Sequence, residues 1–119
     1  MTTLIVRLGT TIDARARFVE AGRRALAGKA GKASPSVNFA SYEDMHRVLA
    51  PSRLAIVKAL AGQGPLSIRE TARRVGRDVQ AVHRDITTLI EAGIIDRTED
   101  GVAFPYDRLH FEYDISAAA

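Results

Sequence analysis

The 119-residue chain contains no cysteine, which excludes disulfides and thiolate metal sites. Its three histidines, His46, His83 and His110, stand far apart and read as surface or edge side chains rather than ligands. No apolar run approaches the roughly 20 residues that a membrane-spanning helix needs. The opening Met-Thr-Thr-Leu-Ile-Val-Arg-Leu places no basic segment ahead of a secretory apolar core. A soluble, cytoplasmic protein is therefore expected. A phosphate-cradling glycine loop, a nucleophile elbow and a metal-ligand cluster are all missing. The short Gly-x-Gly and Gly-x-x-Gly fragments fall at linkers or helix ends. The expectation is a protein that is not an enzyme and takes no metal or cofactor.

What is present is ordinary globular composition, 46% hydrophobic and 26% charged, enough for one domain with a real core and too little for a second. The net charge is only +3, but it is unevenly placed. Residues 1–40 hold seven basic and two acidic side chains, residues 51–98 eight and five, and the stretch from Glu99 onward one and five. A basic body with an acidic end suits an anionic partner.

Thr2 to Leu8 reads as a strand, because Leu4, Val6 and Leu8 alternate with Thr3, Ile5 and Arg7. A helix is predicted from near Ile12, with Ile12, Ala16, Val19 and Leu26 as its apolar stripe. Residues 1–28 thus form a strand–helix unit suited to dimerisation or docking. Residues 29–38 read as a linker of small residues, two lysines and a proline. Val37 to Ala40 extends, with Phe39 as an anchor, and Ser41 caps a short helix whose Met45, Val48 and Leu49 face inward. Pro51 opens the next helix, which is apolar over most of its circumference and predicted to be central. Ser67-Ile-Arg-Glu is a capping box, with a serine N-cap and a glutamate three residues on. In the helix that follows, Ile68, Ala72 (or Thr71) and Val75 face in, and Gly76 ends it.

The next stretch, Arg77 to Gly93, organises the rest. Val79, Val82, Ile86, Leu89 and Ile90 recur at helical spacing. Asp78 stands at the N-cap and Gly93 at the position where a left-handed residue closes a helix. The face left over is Gln80, Ala81, Arg84, Thr87, Thr88 and Glu91, with no aromatic or long aliphatic side chain. Two helices joined by a tight turn form a helix-turn-helix unit. Ile94 to Thr98, an Asp-Gly turn and Val102 to Phe104 then read as a hairpin. That order is the order of a winged helix. Leu109, Phe111, Tyr113 and Ile115 alternate with Arg108, His110, Glu112 and Asp114 as a final half-buried strand, for which Thr2 to Leu8 is an available partner, within the chain or from a second copy. Residues 116–119 read as a frayed tail.

The predicted fold class is α+β, a winged helix-turn-helix over residues 39–115 with an N-terminal strand–helix extension and a C-terminal strand. From Phe39 to Ile115 the chain resembles a family of small bacterial and archaeal winged-helix transcriptional regulators. Leu49-Ala-Pro-Ser-Arg-Leu, Ser67-Ile-Arg-Glu-Thr-Ala-Arg-Arg-Val-Gly-Arg-Asp-Val, Val82-His-Arg-Asp-Ile, Leu89-Ile-Glu-Ala-Gly-Ile-Ile and Val102-Ala-Phe-Pro-Tyr-Asp carry the resemblance. The fold is similar to that of MarR-type and ArsR-type repressors, without the metal-binding cysteines of the latter. The resemblance also implies, for some members, an antitoxin role beside a toxin of the TumE type.

As a reader of double-stranded DNA, the 78–92 helix would enter the major groove. Gln80 can pair with adenine and Arg84 with guanine, each good pair giving roughly 1–3 kcal/mol of discrimination. Ala81 permits close approach or contact with a thymine methyl. Ser67, Arg69, Arg73, Arg77, Thr88 and Arg97 are the candidate phosphate contacts, which position without specifying. Each arginine can instead pair with Glu70, Asp78 or Asp85. Arg74 suits Glu70 one turn away, and Asp85 suits a salt bridge better than a base. The unpaired strand edges and the small reading capacity of one helix point to a homodimer. The alternative is a protein-interaction module, for example one that neutralises a toxin, with five acidic residues after Arg97 offered to a basic partner.

Overall fold

The computed structural model describes residues 2–9, 19–20, 22–23 and 34–115. Among these the chain is a mixed α+β fold, with four helices after residue 40 and two small sheets. In order they are β1 (Thr3–Leu8), β2 (Ser36–Phe39), α1 (Tyr42–Val48), α2 (Pro51–Leu60), α3 (Ile68–Val75), α4 (Val79–Glu91), β3 (Asp96–Thr98), β4 (Gly101–Ala103) and β5 (Arg108–Glu112). No helix among the described residues is long and apolar enough to cross a membrane.

β1 is the middle strand of a three-stranded sheet, β2-β1-β5, and it runs parallel to both neighbours. Ile5 pairs with Ser36 on one side and with His110 on the other. The alternation read in Thr2 to Leu8 follows from this position, since Leu4 and Val6 are fully buried on one face while Thr3, Ile5 and Arg7 take the other. The whole run from α1 to β4 is the connection between β2 and β5, two strands that lie on opposite sides of β1. Four hydrogen bonds between Thr2 and Asp107 fasten the start of the sheet. The Thr2 N–H and hydroxyl donate to Asp107 Oδ2 at 2.8 and 3.1 Å. The Asp107 N–H donates to Thr2 O at 3.0 Å and to Thr2 Oγ1 at 3.1 Å. The two bonds that the Asp107 carboxylate accepts, the one from the Thr2 backbone foremost, hold it below the usual carboxylate range.

Leu4 and Val6 belong to the same core as Met45, Leu49, Ile56, Leu60, Val82, Ile86, Leu89, Ile94, Ile95, Val102 and Phe104. The first strand is therefore not part of a separate unit. Val37 to Ala40, expected to extend, is largely strand, and β2 begins one residue earlier, at Ser36, inside the expected linker. The helix expected from Ile12 to Leu26 lies largely outside the described residues, as do residues 29–33 and the tail 116–119. Val19 and Arg23 are helical and exposed, Val19 at 62%, so Val19 does not face a core. Arg23 pairs with Glu20 at 2.9 Å.

Other expectations need smaller corrections. α2 turns its expected apolar residues inward, with Ile56, Val57 and Leu60 buried and Leu54 and Ala59 half-buried, while Ser52, Ala55 and Lys58 face solvent. Ile94 and Ile95 are fully buried core residues ahead of β3 rather than part of it. The hairpin turn is Glu99-Asp100, with Gly101 already in β4 opposite Thr98. The last strand stops at Glu112, opposite Arg7 and one residue short of the end of β1, and Ile115 is 88% exposed.

Leu66, just before α3, forms a single antiparallel β-bridge with Val102 of the hairpin. Its N–H donates to Val102 O at 2.9 Å and its carbonyl accepts from Val102 N at 2.8 Å. That contact explains Gly101, whose φ is 135° and where a Cβ would stand 2.3 Å from the Leu66 carbonyl oxygen. Both the conformation and the space demand glycine.

Two substitutions test this arrangement by urea unfolding. Leu4→Ala is expected to cost about 2–5 kcal/mol, as for a core leucine; a surface-like change below about 0.5 kcal/mol would place β1 outside the core. Gly101→Ala is expected to destabilise by about 2 kcal/mol or more, whereas the same change at exposed Ala-tolerant positions leaves the midpoint unmoved.

Candidate functional site

The site is built on α3, α4 and the three residues between them. The Ser67 hydroxyl accepts from Glu70 N at 3.0 Å, so half of the predicted capping box forms. The other half does not. The Glu70 carboxylate is taken by the Arg73 guanidinium and by Arg74 Nε at 3.0 Å instead of the Ser67 N–H. Those two guanidiniums, Arg73 first, lower the Glu70 pKa from 4.5 to about 2, and Arg73 is raised in return. Arg74 also donates to Gln63 Oε1 at 2.9 Å. Thr71 is fully buried beside Ala72, its hydroxyl satisfied by Ser67 O at 2.9 Å, so the two alternatives for the inward position are both realised.

Gly76 ends α3 in the left-handed conformation, φ 68°, and Asp78 caps α4 by accepting from Ala81 N at 3.1 Å. α4 buries Val82, Ile86 and Leu89. Gly93 closes it with φ 80°. Val79, expected on the apolar face, is 42% exposed at the first position of α4.

Asp85 fixes the attitude of α4. Its Oδ1 accepts from Arg53 Nε at 3.1 Å and its Oδ2 from Arg77 Nη1 at 2.8 Å. Arg53 comes from α2, and its Nη1 also donates to Arg47 O at 2.7 Å, where the C-terminal carbonyls of α1 favour a cation. One carboxylate thus links α1, α2, the turn and α4. The salt bridge expected at Asp85 is present. Its two partners come from 32 and 8 residues away, a separation that local spacing rules do not reach.

The candidate contact residues separate cleanly. Gln80 and Arg84 are exposed one turn apart on the first turns of α4. Ala81 is half-buried, and its N–H is used by the cap. Arg73 is tied to Glu70 and Arg77 to Asp85. The Thr88 hydroxyl donates to Arg84 O at 3.2 Å, so its hydrogen is spent within the helix. Ser67 stands exposed at the start of α3. Among the described residues, every arginine holds a side-chain ion pair or hydrogen bond except Arg69, Arg84 and Arg97. These three are exposed and lie on α3, α4 and β3. No group of three or more His, Cys, Asp or Glu among the described residues could hold a metal ion.

The model of the HVO_A0114 family matches residues 48–111, more than half of the chain. The chain belongs to this family. The HVO_A0114 segment runs from the end of α1 into β5 and takes in Ser67 and all eight other candidate contacts. β1 and β2 lie before it. No curated protein and no solved structure matches the chain.

The Glu70 pairing has a pH signature. Its pKa is lower in the folded chain than in the unfolded one, so its contribution to stability is present above pH 4.5 and lost as pH falls toward 2. In urea unfolding between pH 5 and pH 2, the difference between wild type and Glu70→Gln is expected to shrink as pH falls. A difference that stays constant with pH would show that these ion pairs do not form in solution.

Proposed function

We propose that the chain is a sequence-specific DNA-binding transcriptional regulator of the winged-helix type, not an enzyme. In this reading α3 and α4 are the helix-turn-helix, α4 is the helix that enters the major groove, and the β3–β4 hairpin is the wing. The order α1, α2, α3, α4, hairpin supports it, as does the bridge between Leu66 and Val102 that ties the hairpin to the start of α3.

The observation that carries the reading is the distribution of unpaired charge. Most arginines of the described chain are neutralised by carboxylates or bound to oxygen. The three that are not occupy the two helices and the hairpin that a winged helix sets against a duplex. Arg84 has its five donors free and Gln80 stands one turn before it, a pair suited to guanine and adenine edges. Arg69 and Arg97 then take phosphates, on either side of α4 in the sequence. Ser67 leaves free N–H groups at the start of α3 for another phosphate. Arg73 and Arg77 are better understood as structural, since moving either to a phosphate means breaking a bond to Glu70 or Asp85. Thr88 has no free donor for a phosphate. A winged helix with so few base contacts acts as a homodimer on a near-palindromic site.

The test is a titration of labelled duplex, its own upstream DNA against a scrambled sequence, at two salt concentrations. Preference for the upstream duplex and a steep loss of affinity with salt are expected. Arg84→Ala should reduce the preference by about 1–3 kcal/mol, roughly 5- to 150-fold. Arg69→Ala should weaken both duplexes alike and lower the slope of log affinity on log salt by about 1 per subunit. If no duplex is preferred, the reading fails and a protein-docking role, toxin neutralisation included, takes its place.

A further inference from the structure

β5 is an edge of the β2-β1-β5 sheet, and among the described residues its outer side has no strand partner. The two edges differ. At β2, Val37 lies against the end of α4, where a Cβ on Gly93 would meet Val37 Cγ1 at 3.7 Å. β5 has neither a proline nor a lysine to block a further strand, and its two charged residues are of opposite sign.

The register divides its side chains. Arg108, His110 and Glu112 share a face with Thr3, Ile5 and Arg7, and Leu109 and Phe111 share the core face with Leu4 and Val6. Phe111 is nevertheless 37% exposed, because it overhangs the edge. It begins a row of aromatic rings, Phe111 to Tyr113 at 6.4 Å and Tyr113 to Tyr42 at 6.1 Å. The sequence Arg-Leu-His-Phe-Glu is complementary to its own reverse, a cation matching an anion and an aliphatic matching an aromatic side chain about the central histidine.

We propose that two copies of the chain join through antiparallel pairing of β5 with β5 about a two-fold axis at His110, forming one six-stranded sheet. Arg108 then stands opposite Glu112 of the partner subunit, and Leu109 opposite Phe111 of the partner subunit, each pair occurring twice as two-fold symmetry requires. Opposite charges and an aliphatic–aromatic pair are favourable cross-strand neighbours. Both charged groups have capacity left for the contact. Arg108 uses only Nε, on Thr3 Oγ1 at 3.3 Å, and Glu112 uses only Oε1, 3.5 Å from Arg7 Nε. The overhanging Phe111 is covered, and the core continues from one subunit into the next. The interface supplies the homodimer that the DNA reading calls for, and rests on that reading only for its purpose.

The absence of native cysteine makes the test direct. At the two-fold axis the His110 Cβ atoms come within about 4.5–5.5 Å of each other, so the His110→Cys chain should form a covalent dimer on mild oxidation. The Ser52→Cys chain, altered on the exposed side of α2, should not. By light scattering after size exclusion at micromolar concentration, wild type should have twice the chain mass. Phe111→Lys and Arg108→Glu should run as monomers with unchanged circular dichroism, and Arg108→Glu with Glu112→Arg should restore the dimer. A monomeric wild type overturns the interface. So does a dimer that survives Phe111→Lys and Arg108→Glu while His110→Cys fails to cross-link, which would place dimerisation elsewhere or leave the edge to another protein. None of these measurements uses DNA, so their failure is separate from failure of the titration.

Discussion

A strand with two parallel partners must be paired on both sides and covered on its apolar face, and β1 imposes that condition on the whole chain. Leu4 and Val6 are as deeply buried as Ile56 or Leu89, and the helices and hairpin complete the core around them. Because β2 and β5 flank β1, everything between Phe39 and Arg108 must leave one side of β1 and return to the other. The Thr2–Asp107 bonds close that circuit. The helices that carry the candidate site are therefore mounted on a sheet whose central strand comes from the opposite end of the chain.

Electrostatics then decide what the helices offer to solvent. Ionic groups in a basic protein can either satisfy one another or remain available, and this chain divides them by position. Glu70 and Asp85, each shared by two arginines, hold α3 and the turn in place. Exposed pairs such as those at Glu70 add little stability in water, whereas Asp85, with only 13% of its side chain exposed, orients α4 against α1 and α2. The arginines left over, Arg69, Arg84 and Arg97, are exposed on α3, α4 and β3, and the proposed reading sets an anion against them.

The same division explains why the proposed function and the proposed dimer interface use different chemistry. The α4 surface is polar and cationic, with adaptable donors, and suits a hydrated polyanion. The β5 edge mixes one charge of each sign with apolar side chains, and suits a copy of itself.

Periodicity and punctuation were enough to find nearly every element. Ser41, Ser67, Asp78, Gly76 and Gly93 act where their local chemistry places them, since caps and left-handed closures depend on residues within one turn. The inward faces of β1, α1, α3 and most of α4 were legible for the same reason, and so was the exposure of Gln80 and Arg84. Tertiary structure decided what depends on distant residues. It paired β1 in parallel with both β2 and β5, drew Leu66 to the hairpin and so required Gly101, and assigned Arg53 and Arg77 to Asp85. It also chose which arginines stay free, because a salt bridge is set by proximity in space, and one-dimensional spacing shows proximity only within a helix or across a turn.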